Sequence, residues 1–133
     1  MNVFFYTIGI SFSIYYFLGA KVVRIQETTD DGLIDMNDLN AKLEHYKSLS
    51  SVQNNQRILI GCFSAASNIT GLLNDDIQIT AILHSHGALS FWDYATAAPY
   101  VEINMNPRGK AFTSWQQYHL QTITTISPAR LSS

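Results

Sequence analysis

The sequence predicts an α/β fold of three layers, in which a mostly parallel sheet is flanked by helices. Two observations predict it: short β-branched or apolar runs alternate with longer amphipathic segments, and the order is strand, helix, strand, helix, strand. Parallel strands need a crossover connection, usually a helix, so this alternation is typical of parallel sheets. At 133 residues, the chain has the length of one domain with a sizeable core.

The composition is that of a folded protein, with 47% hydrophobic residues, 14% charged residues and a net charge of −2. There is no basic excess or stripe, which argues against nucleic-acid binding. The single cysteine, Cys62, excludes an intrachain disulfide and a cysteine-based zinc site, and its apolar surroundings predict a small buried side chain. His84 and His86 form "HSH" within a predicted helix, where positions i and i+2 point to different faces, so we expect no metal site.

Residues 1–18 form an aromatic and apolar segment without a charged side chain. Three interpretations are open: a membrane anchor through residues 3–18, a strand or helix of the fold, or a non-native start of a truncated chain. A span of about 20 residues would fit a bilayer. However, serine, threonine and glycine dilute the apolarity, and no lysine or arginine precedes the run as in a signal peptide. We expect a cytoplasmic protein, with membrane association through residues 3–18 as the alternative.

The first regular elements follow this segment. The run "AKVVRI" is rich in β-branched residues and predicts a strand, and "DDGLI" predicts a turn. The stretch "DMNDLNAKLEHYKSL" then predicts an amphipathic helix with Asp35 as its N-cap. Leu39, Leu43 and Tyr46 fall on one face at helical spacing, which predicts the buried side of this helix.

The middle of the chain predicts a second strand and a second helix. The run "RILIGCF" (57–63) is continuously apolar, as in a strand covered on both faces. A loop of small residues, "SAASNITG", follows. Asn74 or Asp75 is then the predicted N-cap of a helix, "DDIQITAILHSH", that ends near Gly87.

The last elements are a strand at residues 88–92, "ALSFW", and a further short strand at residues 100–104, "YVEIN". Residues 108–133 contain no acidic side chain, are rich in Ser, Thr and Gln, and show no clear period. We expect them to form a weakly ordered tail.

Two segments, "SAASNITG" and "DYATAAP", follow predicted strands. Ligands of open α/β sheets bind beyond the carboxyl ends of the strands, so Asn68 and Asp93 are expected to lie near each other. For Asp93 the residues leave three interpretations open: a cap or satisfied loop acid, a surface charge, or a carboxylate aimed at a cationic group. The small residues 95–98 behind it would leave room for a flat ring.

The stretches "FSAASNITG" and "HGALSFWDYATAAPYVEINMNP", with the earlier "GAKVVRIQETTDDGLIDMNDLNAKL", resemble the class V aminotransferases. These are fold type I enzymes that use pyridoxal 5'-phosphate (PLP) and include the cysteine desulfurases. The resemblance covers residues 19–107 and implies part of the family's large domain. It also implies transamination, carbon–sulfur or related lyase chemistry on an amino acid, and a homodimer in the full-length parent.

The resemblance implies three cofactor-binding residues. Asp93 matches the aspartate that pairs with the protonated pyridine nitrogen of PLP, which keeps the ring an electron sink. Asn68 matches an asparagine near the ring oxygen and the substrate carboxylate. Thr96 stands where desulfurase-like members often carry a glutamine that contacts the ring oxygen.

The sequence departs from the family at both ends. It contains no Ser/Gly-x-His-Lys segment, and Lys110 in "NPRGKAF" is too near Asp93 and lacks the preceding histidine, so no catalytic residue is assigned. The family's phosphate-binding segment would precede "GAKVV", where this chain has its aromatic run. We therefore expect a central fragment that is not competent for covalent catalysis by itself. The alternatives are a non-catalytic interaction fragment and a small membrane-anchored protein.

Asn68 also begins "NIT", an N-glycosylation sequon. A modified, secreted Asn68 and a cofactor-binding Asn68 exclude each other. The sequon therefore discriminates between the membrane-anchored alternative and the PLP enzyme.

Overall fold

The computed structural model describes residues 3–6, 21–52 and 58–104. The elements are β1 (Val3–Tyr6), β2 (Lys21–Arg24), α1 (Met36–Val52), β3 (Leu59–Ser64), α2 (Asp76–Ser85) and β4 (Leu89–Asp93). The four strands form one sheet in the order β2-β1-β3-β4, and every neighbouring pair is parallel. This confirms the predicted α/β fold and its parallel sheet. The expectations for residues 108–133 and for Lys110 lie outside the described residues.

Strand β1 comes from the segment whose role the sequence left open. Its residues pair with β2 on one side and with β3 on the other, so residues 3–6 belong to the interior of the sheet. The strand interpretation therefore holds for these four residues, while residues 7–18 lie outside the described part. Among the described residues, the structure contains no helix with the length and apolarity that a bilayer crossing requires.

Both described helices lie on one face of the sheet. The connections from β2 to β3 and from β3 to β4 step across the sheet in the same direction, and right-handed crossovers place their helices on the same side. The two helices also contact each other. On this face Leu83 of α2 packs so closely on Gly61 of β3 that a Cβ on Gly61 would lie 2.6 Å from its Cδ1 atom.

The core lies between this helical layer and the sheet. Leu39 and Leu43 of α1 are fully buried and Tyr46 is 8% exposed, which confirms the predicted inner face of the helix. From the sheet, the rings of Phe63 and Trp92 meet at 5.8 Å between centroids. Burial of such large apolar side chains is the main favourable contribution to folding.

The predicted capping residues explain where the helices begin. Asp35 Oδ1 accepts hydrogen bonds from the backbone N–H groups of Asn37 (2.8 Å) and Asp38 (3.2 Å) at the start of α1. For α2 the cap is Asp75, which accepts from Gln78 N at 2.9 Å. These bonds satisfy amide groups that have no partner inside the helix.

The predicted strand at residues 100–104 is wrong. After β4 the chain forms successive turns, in which Ala98 N donates to Tyr94 O (2.8 Å) and Val101 N donates to Ala97 O (3.1 Å). Pro99 has no N–H group to offer to a ladder, and Tyr100 is 87% exposed. The alternation in "YVEIN" therefore does not correspond to a buried sheet face.

Two smaller predictions have clear outcomes. Cys62 is buried, with 6% of its surface exposed, as expected for a small apolar side chain. His84 is buried in α2, whereas His86 caps the helix with Nδ1 at 2.9 Å from Ile82 O, so the two imidazoles lie in different environments.

Candidate functional site

A small hairpin, the first hairpin (residues 27–34), follows the carboxyl end of β2. Thr28 N donates to Leu33 O at 2.8 Å, and Gly32 N donates to Thr28 O at 3.1 Å. Gly32 has φ of 72°, a left-handed conformation that glycine adopts without a steric penalty. The predicted "DDGLI" turn is therefore the tip of a hairpin at a strand end.

The same construction recurs after β3 in the second hairpin (residues 66–73). Here Ser67 N donates to Leu72 O at 2.9 Å, Gly71 N donates to Ser67 O at 2.9 Å, and Gly71 has φ of 73°. The Ser67 hydroxyl accepts from the backbone N–H of Thr70 at 3.2 Å, which stiffens the tip. Two glycine-closed hairpins of matching hydrogen-bond pattern thus stand at the carboxyl edge of the sheet.

A cleft of about 570 Å³ lies between the hairpins and the segment after β4. Its walls include Glu27 and Asp31 of the first hairpin, Asn68 of the second, and Asp93 and Thr96 beyond β4. The strand order reverses at β1, which lies between β2 and β3, and ligands of doubly wound sheets bind at such a switch point. The volume falls within the range of about 300–1,000 Å³ that is typical of small-molecule sites.

Asp93 is the last residue of β4 and is half-buried. Its Oδ1 atom accepts a hydrogen bond from Ala95 N at 2.8 Å, and its carbonyl oxygen accepts from Ala65 N at 2.9 Å. The carboxylate therefore has a local role as the acceptor of the following turn. It also lines the cleft, and it accepts no other hydrogen bond from the described residues.

Asn68 and Thr96, the other two predicted site residues, also line the cleft, and both are exposed. Asn68 lies at the tip of the second hairpin and Thr96 in the turns after β4. The structure therefore brings together all three residues that the resemblance selected. Topology had predicted the proximity of Asn68 and Asp93, because both follow neighbouring parallel strands.

The charge of the cleft is negative. Glu27, Asp31 and Asp93 are its ionisable lining residues, and no described lysine, arginine or histidine lines it. A hydrogen bond from the Thr28 hydroxyl, and then one from Leu33 N, holds the pKa of Asp31 below its ordinary value. Such a cleft favours a cationic group over an anionic one.

The first-hairpin residues and Asn74 are parts of this site that sequence reasoning missed. The signal for the first hairpin was present, because "DDGLI" follows a predicted strand in the same way as the other two loops. Asn74 had been considered as a helix cap. Its amide instead accepts from Ile34 N at 3.1 Å and donates to Ser64 O at 3.0 Å, so it joins the two hairpin regions.

The lysines of the described residues lie away from the cleft. Lys42 forms an ion pair with Asp38 at 2.6 Å and donates to Arg24 O at 2.8 Å. Lys21 has its ammonium 5.1 Å from the centroid of the Tyr46 ring. The described residues also contain no cluster of three or more metal-ligating side chains.

The fold is similar to that of several solved structures. A NifS-like protein from Rickettsia africae superposes with a TM-score of 0.60 at 23% identity, over 78% of this chain and 27% of that protein. A cysteine desulfurase from Thermococcus onnurineus gives 0.59 at 22% identity, over 78% and 24% of the two chains. A serine palmitoyltransferase variant from S. paucimobilis, solved with PLP and myriocin bound, gives 0.50 at 16% identity, over 69% and 21%.

These similarities concern the fold, and the chain spans about a quarter of the length of the structures that it matches. No protein-family model and no curated protein matches the sequence.

Proposed function

We propose that this chain forms part of the large domain of a PLP-dependent enzyme of the class V aminotransferase or cysteine desulfurase type, acting on an amino acid. The observation that carries the proposal is the placement of Asp93. Its carboxylate lies at a strand end, in a cleft of small-molecule size, together with Asn68 and Thr96. The fold similarity to a NifS-like protein and a cysteine desulfurase supports the same enzyme type.

The residues of the cleft fit the ring end of this cofactor. Asp93 uses one carboxylate oxygen for Ala95 N, which leaves the other available to a protonated pyridine nitrogen. An ionised carboxylate there holds a proton on the ring nitrogen, because an opposite charge favours the charged form of its neighbour. When bound, PLP supplies an electron sink for carbanion chemistry on the amino acid.

Asn68 and Thr96 have supporting roles in this proposal. Both are exposed to the cleft and carry groups that can hydrogen-bond a ring oxygen or a substrate carboxylate. The side chain of Thr96 is shorter than the glutamine side chain of desulfurase-like enzymes, so its hydroxyl group would reach less far towards the ring.

The phosphate group and the aldehyde group of PLP need binding partners outside the described cleft. The ionisable side chains that line it are all acidic, so this part of the chain offers the phosphate no positive side chain. No described lysine lines it either, and the Ser/Gly-x-His-Lys segment is absent from the sequence. We propose that the chain alone binds the ring weakly and is not competent for covalent catalysis, which requires an amine at the cofactor. The homodimer of the parent family remains part of this proposal.

Titration of the purified chain with PLP, followed by the change in cofactor absorbance, tests the proposal. Asp93→Asn should weaken binding roughly 10- to 100-fold, because a hydrogen bond between charged partners contributes about 1.5–3 kcal/mol. Glu44→Gln, which removes an exposed carboxylate on α1, is the matched control and should bind as the wild type does. Equal affinities for wild type and Asp93→Asn would refute the assigned role of Asp93.

Borohydride treatment of the PLP-loaded chain, followed by peptide mass spectrometry, tests the second part of the proposal, that the chain alone is not competent for covalent catalysis. We expect no stoichiometric modification of any single lysine. One lysine fully modified in the wild type and protected by an amino-acid substrate would show that the chain forms its own imine, and the proposed lack of competence would then be wrong.

A further inference from the structure

Asn74 joins two segments that are far apart in the sequence. It follows the second hairpin and precedes α2. Its side-chain Nδ2 donates to Ser64 O at 3.0 Å, and its Oδ1 accepts from Ile34 N at 3.1 Å, although Ile34 lies 40 residues earlier. One amide therefore links the end of β3 to the end of the first hairpin.

The same residue is connected through the backbone to the segment that carries Asp93. Asn74 N donates to Ala65 O at 2.9 Å, and Ala65 N donates to Asp93 O at 2.9 Å. Asp93 in turn accepts from Ala95 N at 2.8 Å through its carboxylate. A short series of hydrogen bonds thus runs from Asn74 through Ala65 to the candidate cofactor-binding acid.

The contacts require an amide at this position. An asparagine side chain presents a donor and an acceptor on opposite sides of one planar group, and Asn74 uses both. Aspartate would keep the acceptor and lose the donor, and alanine would lose both. Helix capping does not explain the residue, because Asp75 is the N-cap of α2.

We propose that Asn74 is a positioning residue that fixes the two hairpins and the end of β4 relative to one another, and thereby fixes the Asp93 carboxylate in the cleft. Asn74 is half-buried and lines the cleft, so its hydrogen bonds are partly shielded from water. The identity of the ligand rests on the proposed function. The mechanical role of Asn74 rests only on its hydrogen bonds.

Amide hydrogen exchange of the ligand-free chain tests the mechanical role. In Asn74→Ala, the amides of Ile34, Ala65 and Ala95 should exchange about 5- to 10-fold faster, as expected when one hydrogen bond of about 1 kcal/mol is lost. The nearly isosteric Asn74→Asp keeps the acceptor, so protection at Ile34 should recover in part. Asn40→Ala, an exposed asparagine on α1, is the control and should leave all three amides unchanged.

Two exchange results would overturn the proposal. Faster exchange at the Ile34 amide alone would show that Asn74 stabilises only the first hairpin. Equal acceleration throughout α1 and β4, in both Asn74 variants, would show a general loss of stability rather than positioning of the cleft.

PLP titration separates this proposal from the function on which it rests. Asn74→Ala should weaken PLP binding about fivefold in the wild-type background and by less than half that factor in the Asp93→Asn background, since groups that act through one another are not additive. If Asn74→Ala weakens PLP binding by the same factor in both backgrounds, Asn74 does not act through Asp93, and the proposal is overturned. If the wild-type chain binds no PLP, the proposed function fails, and the exchange measurement alone decides the role of Asn74.

Discussion

The hydrogen bond between Tyr94 and Asp76 gives a prediction that stability measurements can test directly. The Tyr94 hydroxyl donates to Asp76 Oδ2, which joins the residue after Asp93 to the first turn of α2. Tyr94 is 5% exposed, so the phenol is held within the core. Tyr94→Phe keeps the ring and its packing and removes only this bond.

The expected cost follows from the surroundings of the two groups. A hydrogen bond to a charged partner contributes about 1.5–3 kcal/mol to the free energy of unfolding. Asp76 is only half-buried, so water can solvate its carboxylate once the phenol is gone. We therefore expect a loss of about 1.5–2 kcal/mol for Tyr94→Phe at neutral pH.

The pH dependence has a definite sign. Burial, followed by the hydrogen bond to Asp76 and its negative charge, raises the pKa of Tyr94 above its ordinary value. The contribution of Tyr94 is fully present below about pH 10, where the unfolded chain also keeps the proton. It is lost as the pH rises from there towards the folded-state pKa, because the unfolded chain then releases a proton that the folded chain retains.

Urea denaturation followed by circular dichroism provides the assay, at neutral pH and at about pH 9 to 11. The difference between wild type and Tyr94→Phe should be largest at neutral pH and should shrink above about pH 10. Tyr100→Phe is the control, because Tyr100 is 87% exposed and should show neither effect. A difference for Tyr94→Phe below about 0.5 kcal/mol, or one independent of pH, would refute the reasoning.

Three further predictions concern the core and a surface ion pair. Gly61→Ala should destabilise the fold by about 1–3 kcal/mol, because the new methyl group would lie 2.6 Å from Leu83 Cδ1, and a lower thermal midpoint would show it. Trp92→Phe should cost roughly 2–4 kcal/mol in urea unfolding, since it removes buried volume and the Nε1 donor to Thr80 Oγ1 at 2.9 Å. Asp38→Asn should reduce the loss of stability below about pH 4. Burial acts to raise the pKa of Asp38, but the hydrogen bonds from Lys42 and Gln26 N, together with the charge of Lys42, outweigh burial and lower that pKa, so the contribution of the carboxylate is lost as the pH falls through the folded-state value.

Each of these has an outcome that would contradict it. An unchanged midpoint for Gly61→Ala would mean that α2 shifts away without cost. A stability of Trp92→Phe within about 0.5 kcal/mol of wild type would show that neither the volume nor the bond matters. If Asp38→Asn and the exposed control Asp30→Asn have the same acid profile, the contacts of Asp38 do not determine its proton affinity.

The elements that the sequence predicted are those whose signals are local. Helix α1 was predicted from the spacing of Leu39, Leu43 and Tyr46 and from the cap at Asp35, all within a few turns of chain. Periodicity and capping depend on neighbouring residues, so they can be read without knowledge of the fold. The incorrectly predicted strand at residues 100–104 also rested on a local pattern. Pro99 and the turns after β4 prevent this segment from forming the hydrogen bonds to a neighbouring strand that a strand needs.

The candidate site was predicted in part for the same reason. Asp93 and Asn68 were expected to lie near each other because they follow two predicted strands, and parallel topology brings such ends to one edge. Their cofactor-binding roles, and that of Thr96, came only from the family resemblance. The first hairpin was missed although it follows β2 in the same way. The resemblance assigned no role to its residues Glu27 and Asp31, and they were recognised as site residues only from the cleft that they line.

The sequence by itself determined the α/β class, five of the six described elements and the strand-end loops that bear the candidate residues. Only the tertiary structure decided that β1 lies inside the sheet and that Asn74 ties Ile34 to Ser64 rather than capping a helix. The physical reason is the range of the interaction. A cap or a hydrophobic face is formed by residues close in sequence, whereas a hydrogen bond across 40 residues exists only after the whole sheet has brought its partners together.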